Sequence, residues 1–532
     1  MSKFSEKCKE LLAANGSNVY RLSLSASLER TSLQRMVTGK RLPNQEFVTA
    51  FCRALRIPLS KENELMELYK MESMGESAYK SQRTILHLFK HLADLEKSNH
   101  QTTCSIADQG DLVLLSNVSN QSYDTELLLQ FILKKAFRAD ENAPVYTNLP
   151  GTCTLLSHYL HLLAPQYKKR ITLKQSIPFH ISDSAAYENL ETLSQILPLY
   201  FSNKIDYEPY YYYSTLSTNE QSALLFPYYI ITSDYVLQLS GDLKKGILHS
   251  DSVIVQHYMN EFLDKLAHAT LLIQHTDSLR EATHLYTSLA ASSQINEMYS
   301  LGGLCQTELL SPVEFAEMAQ KYAGEYMDLF DEYMGFVKQL CNSKQHIFTP
   351  YNSVKNFCST GQCSGTLSVL FPPFDPEMRL QGLKNFASNL ETTDISILSE
   401  NFVYPNSIVM ELYNHRILHI IHVGENLEIS FIAIRESSIC EAFETFFQSL
   451  NASEYHYEKE IQDHLIHKTI RELERNSKNS FSPTHFQITH IEKTAWFYPG
   501  GSSHTFLFPL SLYRLLSSPD SVCSYIISVD PF

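Results

Sequence analysis

At 532 residues the chain is too long for one hydrophobic core, and two to four domains are expected. Its 44% apolar content, with 17 Gly and 20 Pro, excludes a collagen-like, low-complexity or largely disordered protein. The net charge of −15 is uneven: residues 1–90 hold 15 Lys/Arg against 9 Asp/Glu, the remainder 28 against 49, so a polyanion is attracted to one end and repelled by the rest.

The ten cysteines are scattered and form no C-x2-C pair. That usage predicts reduced thiols rather than a disulfide framework. The opening MSKFSEKCKE has no hydrophobic signal region, and no apolar run approaches the roughly 20 residues a membrane helix needs. The expectation is a cytoplasmic protein with no membrane partner.

In chain order, Phe4, Cys8, Leu11 and Leu12 make the apolar stripe of a first helix, which Asn15-Gly16 ends. Ser17 or Asn18 caps a second helix with Val19, Leu22, Ser23 and Ala26 inward. Ser27 sits in a tight turn and Leu28 plugs the core beneath it. A third helix has Leu33, Met36 and Val37 on its apolar face and Arg30, Thr31, Gln34, Arg35 and Thr38 on its polar, cationic face. Gly39 stops it and Lys40 and Arg41 follow in a loop. Pro43 and Asn44 open a fourth helix that buries Phe47, Val48, Phe51 and Leu55. Pro58 breaks that helix, and Ser60 is expected to cap a fifth with Leu65, Leu68 and Tyr69 on its stripe.

Residues 4–70 so read resemble the helix-turn-helix domain of the lambda-repressor/Cro type, the XRE family. The matching residues are Ser23, Ser27, Leu28, Leu33, Met36, Gly39-Lys40 and Pro43. The family often has Gly at the turn and Glu two residues before the loop Gly; here Ser27 and Val37 stand there. The resemblance implies an all-α five-helix head (residues 1–72) that docks its third helix in a DNA major groove. Arg30, Thr31, Gln34 and Arg35 are then the base-reading candidates, since Arg can donate two bonds to guanine and Gln can pair similarly with adenine. Asn18, Tyr20, Arg21, Lys40 and Arg41 would hold phosphates. The alternative is a helical unit for protein contact whose cationic face is merely solvated.

Residues 73–103 read as a helical connector broken at Gly75. Ile85, Leu86, Leu88, Phe89, Leu92 and Leu95 give it a stripe that either joins two copies or packs on the body.

From 104 onward helix and strand periods alternate, which predicts a large mixed α/β body. Helices are expected over 123–137, 152–167, 189–201, 252–273, 374–390 and 438–450, and strands over 143–149, 170–179, 207–214, 223–241 and 394–435. Two strand–strand–helix blocks around 200 residues apart predict two pseudo-repeated halves, 104–290 and 291–455, with a C-terminal extension over 456–532 that holds a charged helix and final strands. This arrangement resembles degenerate phospholipase-D-like sensor folds, but the H-x-K-x4-D signature is absent, so no catalytic residue carries over.

Gly361-Gln362-Cys363-Ser364-Gly365 fits a nucleophile elbow, with Asp394 and His419 in acid-then-His order. Its flanks do not read as strand–turn–helix, and the alternative is a Gly-Ser loop before a TLSVLF strand. Among His415, His419 and His422, the first two share a strand face but lie about 13 Å apart, too far for one tetrahedral ion. His158 and His161 lack carboxylate or Cys company, and Cys358 and Cys363 have no second pair. Eight tyrosines (207, 210–213, 228, 229 and 235) would either line a cleft for a small ligand or peptide or pack a sheet surface.

The expectation is therefore a bacterial-type, sequence-specific transcriptional regulator, not an enzyme, with no catalytic or metal residues and no cofactor. Its partners would be double-stranded DNA, a second copy in a homodimer, and a small-molecule or peptide effector sensed by the body. Two further readings are an interaction protein with the head as targeting module and an enzyme fused to a helix-turn-helix.

Overall fold

Side-chain caps start the first helices. Ser2, Asn18 and Asn44 accept from the backbone N–H of Ser5, Arg21 and Phe47 at the heads of Lys3–Ala14 (α1), Val19–Ala26 (α2) and Gln45–Leu55 (α4). Arg30–Val37 (α3) lies between the last two. Leu59–Met74 (α5) begins one residue before Ser60, with Pro58 at its cap position, because the fixed φ of proline already sets the entry. Gly75, at φ +86, then turns the chain into Glu76–Asn99 (α6). The computed structural model describes residues 2–99, 114, 116–139, 144–181, 186–201, 205–215, 224–292, 294–424 and 428–479.

α1 to α5 close over their own core of Phe4, Cys8, Leu11, Leu22, Leu33, Met36, Val48, Phe51 and Leu65. α6 does not share it. Ile85, Leu88, Phe89 and Leu92 are buried in the main core of the body, each side chain contributing about 1.5–3 kcal/mol if fully removed from water. Phe89 packs edge-on against Phe402, Tyr404 and Phe446. The connector stripe is thus covered by the body of the same chain. Glu96 near its end accepts from the Asn406 and Ser407 backbone N–H groups, and Gln82 donates to Ser449.

The body follows as Val118–Ser119 (β1), Ser122–Arg138 (α7), Val145–Thr147 (β2), Thr154–Leu163 (α8), Ile171–His180 (β3), Ala186–Ile196 (α9), Ile205–Ser214 (β4), Tyr228–Ile231 (β5), Val236–Leu239 (β6), Gly246–His249 (β7), Ser252–Leu266 (α10) and Thr270–Leu271 (β8). It continues with Ile273–Thr276 (β9), Leu279–Ser292 (α11), Glu297–Leu301 (β10), Gln306–Leu309 (α12), Pro312–Tyr322 (α13), Met327–Leu340 (α14), Lys344–Pro350 (β11), Tyr351–Thr360 (α15), Pro376–Thr392 (α16), Ile395–Leu398 (β12), Ile408–Tyr413 (β13), Ile417–Val423 (β14), Ile429–Ile434 (β15), Ser437–Leu450 (α17) and Lys459–Asn479 (α18).

These strands form two mixed sheets, ordered β1-β7-β6-β5-β2-β3-β4-β8 and β12-β11-β10-β13-β14-β15-β9. Read in opposite directions the two orders coincide. In each, two further parallel strands run to one side of β2 or β10, and an antiparallel meander runs to the other. The helix after the meander, α10 or α17, leads to an extended residue pairing antiparallel with the outermost parallel strand: β8 on β4, and His456 on Leu398. The chain passes from one sheet to the other at Leu272. The main core lies where α6 to α9 and α17 meet both sheets. Smaller clusters cover the other faces under α10 and under α11 with α14.

Two local expectations are corrected, and a stretch that does not read as a strand is helical. The helix expected over 252–273 stops at Leu266, because His268 and Ala269 form a turn and the β-prone Thr270 and Leu271 pair with β4. NSVKNFCST is helical: Gly361, at φ +75, ends α15, and the Arg379 guanidinium takes the carbonyls of Cys358, Ser359 and Thr360. Thr366–Leu370 is a tight helical turn, not a strand. The strands expected beyond α18 lie outside the described residues.

Candidate nucleic-acid interface

The turn between α2 and α3 rests on Ser27, which holds φ +54 and ψ +29, the left-handed conformation that glycine takes most readily. Leu28 is half-buried against the head core beneath it. α3 then runs with Leu33, Met36 and Val37 buried and Arg30, Thr31, Gln34 and Arg35 exposed on the opposite side. The helix closes on a Schellman pair: Lys40 N–H donates to the Arg35 carbonyl at 2.9 Å and Gly39 N–H to the Met36 carbonyl at 3.1 Å, with Gly39 at φ +70. Lys40 and Arg41 leave that turn exposed to solvent.

The phosphate candidates flank this helix. Asn18 caps α2, so the remaining N–H groups of its first turn and the exposed Tyr20 and Arg21 share one end. The Arg30 guanidinium lies 5.3 Å from the Tyr20 ring centre, which ties a base-reading candidate to a phosphate candidate. One feature escaped the periodicity: Glu29 stands at the head of α3 without capping its backbone and accepts from the Ser32 hydroxyl instead. An acid at the start of this helix would narrow where a phosphate could sit.

The other sequence candidates disperse. Asp394 precedes β12 and pairs with His346, at the amino end of the parallel strands, whereas Cys363 neighbours Cys305 beyond their carboxyl end. Burial pushes the Cys363 thiol well up, and His419 stands among tyrosines on β14. These three groups make no triad. His415 is not on a strand: it sits at φ +60 in the turn between β13 and β14, at ion-pair distance from Glu297 and Glu444. No group of three metal-ligating side chains occurs among the described residues.

The tyrosines divide. Tyr207, Tyr228 and Tyr229 are buried, and the Tyr207 hydroxyl donates to Gln175. Tyr212 and Tyr213 are exposed near the sheet edge, the latter donating to Glu436. A polar cluster that no sequence spacing signals lies in the second half, where Tyr286 and Tyr413 both donate to the Glu411 carboxylate.

Among the described residues no helix is long and apolar enough to cross a membrane. No family model matches the chain, and no curated protein matches its sequence. Among solved structures it is similar to a phosphatidylserine synthase of Haemophilus influenzae Rd KW20, at 8% identity and TM-score 0.22 over 69% of this chain and 95% of that one. It is also similar to TrmBL2, an archaeal chromatin protein with a novel mode of DNA binding, at 8% identity and TM-score 0.19 over 42% and 78%. A third is polyphosphate kinase from Porphyromonas gingivalis, at 8% identity and TM-score 0.21 over 66% and 51%. Likeness at this level carries no argument about function.

Proposed function

We propose that the chain is a sequence-specific DNA-binding regulator of transcription, in which α2 and α3 form a helix-turn-helix of the lambda-repressor/Cro type. The observation that carries this reading is the division of α3. Three side chains anchor it in the head core while Arg30, Thr31, Gln34 and Arg35 stand together in solvent. Such a helix, backed by apolar residues and fronted by guanidinium and amide groups, presents the donors that guanine and adenine edges accept. Asn18, Tyr20, Arg21, Lys40 and Arg41 fix its register on the phosphates. The acidic body stays clear of the duplex and carries the regulatory input. Two copies bind paired half-sites, and the protein acts in the cytoplasm.

The salt dependence of binding tests the division of labour. Lys40→Ala weakens binding to all duplexes alike and lowers the log–log salt slope by about 1. A slope that does not move, with specificity altered instead, places Lys40 elsewhere.

A further inference from the structure

The second half of the body carries a cluster of polar side chains that the DNA-reading proposal neither uses nor supports. β10 is where the strand order of its sheet reverses, with parallel β11 on one side and antiparallel β13 on the other. Crevices outside the carboxyl end of such a strand are where open α/β sheets take ligands. The loop leaving β10 opens with two residues that lack side chains, Gly302 and Gly303. A Cβ on Gly303 would stand 2.3 Å from the Ser364 hydroxyl, and one on Gly302 would stand 2.9 Å from Val409. The chain therefore runs close to β13 and to the Gly361–Gly365 loop, and Ser364 N–H donates to the Leu304 carbonyl at 2.8 Å.

Two carboxylates lie within electrostatic reach of each other here, and neither is paired with a cation among the described residues. Glu411, on β13, receives the Tyr286 hydroxyl from α11 and the Tyr413 hydroxyl at 2.8 Å, both on Oε2. Glu308, on α12, spends Oε2 on the Cys305 backbone N–H at 3.1 Å. Neither forms an ion pair among the described residues. Tyr333, from α14, packs edge-on against Tyr286 and feels both acids. Glu411, Glu308 and Tyr333 are half-buried, each keeping some accessible surface, so they line a cleft rather than a sealed core. Burial pushes both carboxyls up, Glu308 to about 7, as expected for acids lacking a positive partner.

A further buried group lies beside them. His419 is the cross-strand partner of Glu411 and is 1% exposed. Its ring lies 5.1 Å from Tyr286 and 5.2 Å from Tyr413, the two phenols that hold Glu411, and its Nδ1 has no hydrogen-bond partner. The unspent capacity of the cluster is therefore mostly that of acceptors, surrounded by phenol rings. Apolar or anionic molecules would leave it unmet, whereas an ammonium group satisfies it through charge-assisted hydrogen bonds and the ring faces.

We propose that this cleft, between Glu411, Glu308, Tyr286, Tyr333 and His419, binds a small organic amine as its cation. The ammonium sits against the carboxylates within the tyrosine rings, and the rest of the ligand leaves past Cys305 and the Gly361–Gly365 loop. The test is titration calorimetry of the full chain with putrescine, with glutarate as an anionic control of similar length. Putrescine binds the native protein with one site per chain and glutarate does not. Glu411→Gln keeps an acceptor for both tyrosines and weakens putrescine by about tenfold or more, as does Glu308→Gln. Glu391→Gln, an exposed acid on α16, leaves affinity unchanged. Failure of putrescine to bind, equal binding of glutarate, or native affinity retained in both cleft variants with native circular dichroism overturns the proposal.

Discussion

The Arg30 guanidinium stands 5.3 Å from the centre of the Tyr20 ring, so the first residue of α3 is held by the first turn of α2. An exposed pair of this kind contributes about 0.5–1 kcal/mol, enough to bias the rotamer of Arg30 without immobilising it. Tyr20→Ala is expected to weaken operator binding by about two- to fivefold, and Tyr20→Phe to recover only the share the ring contributes through Arg30, because the variant lacks the hydroxyl that would meet a phosphate. Arg30→Ala is expected to cost about 1–3 kcal/mol and to relax the preference at one base pair, read by competition among single-base variants of the selected site.

Ser27 carries a left-handed backbone that a Cβ disfavours by about 1–2 kcal/mol. Ser27→Gly removes that penalty and adds freedom to the unfolded chain, for a net gain of about 0.5 kcal/mol. Amide exchange within α2 and α3 is expected to slow by about twofold, while Ser27→Val speeds it. Slower exchange in the valine variant would contradict the account of the turn.

Glu96 joins the connector to the body by accepting two backbone N–H groups at 3.1 and 2.8 Å. Glu96→Ala leaves both donors without this acceptor and is expected to cost about 1–3 kcal/mol. Faster amide exchange over 405–408 reports the loss, and Glu96→Gln retains part of the protection. Affinity of the head for DNA should not change, since α1 to α5 have their own core.

Burial drives His419 down from 6.5 to about 3. The native state thus keeps it neutral where the unfolded chain binds a proton. Its contribution is complete above pH 6.5 and is lost as pH falls from there toward about 3. Glu308 acts in the other direction: raised from 4.5 to about 7, it is protonated in the native state and costs stability as pH rises through that interval. The difference between native protein and His419→Phe isolates the histidine, and the variant should lose stability less steeply on acidification, by up to about 1.4 kcal/mol per pH unit. Parallel stability–pH curves for the two would contradict a buried neutral imidazole.

How much was legible in the sequence follows from how local each signal is. The first four helices and the strands over 394–435 announce themselves by apolar spacing, and Asn18, Gly39 and Asn44 mark boundaries through their own backbone or side chain. The ends that misled are set from afar. Arg379, about twenty residues downstream, closes α15 on its carbonyls, and β4, about sixty residues upstream, draws Thr270 and Leu271 out of the expected helix. The exposed face of α3 could be written down in advance because a single helix carries it. The Glu411 cluster could not, because Tyr286 and Glu411 lie 125 residues apart and only sheet register sets His419 beside them. Asp394 and His419 follow the sequence order of a triad, yet strand direction sends one to the amino end of the sheet and the other into a tyrosine-lined face.

The central claim is that α3 reads DNA sequence. Selection of genomic fragments by the purified full-length protein, beside its Arg30→Ala/Arg35→Ala variant, tests it most directly. The account predicts a shared motif, arranged as two half-sites about one helical turn or a multiple apart, that the variant no longer enriches. Enrichment of no motif, or equal recovery of the same fragments by the variant, would contradict it and leave the head as a module for protein contact.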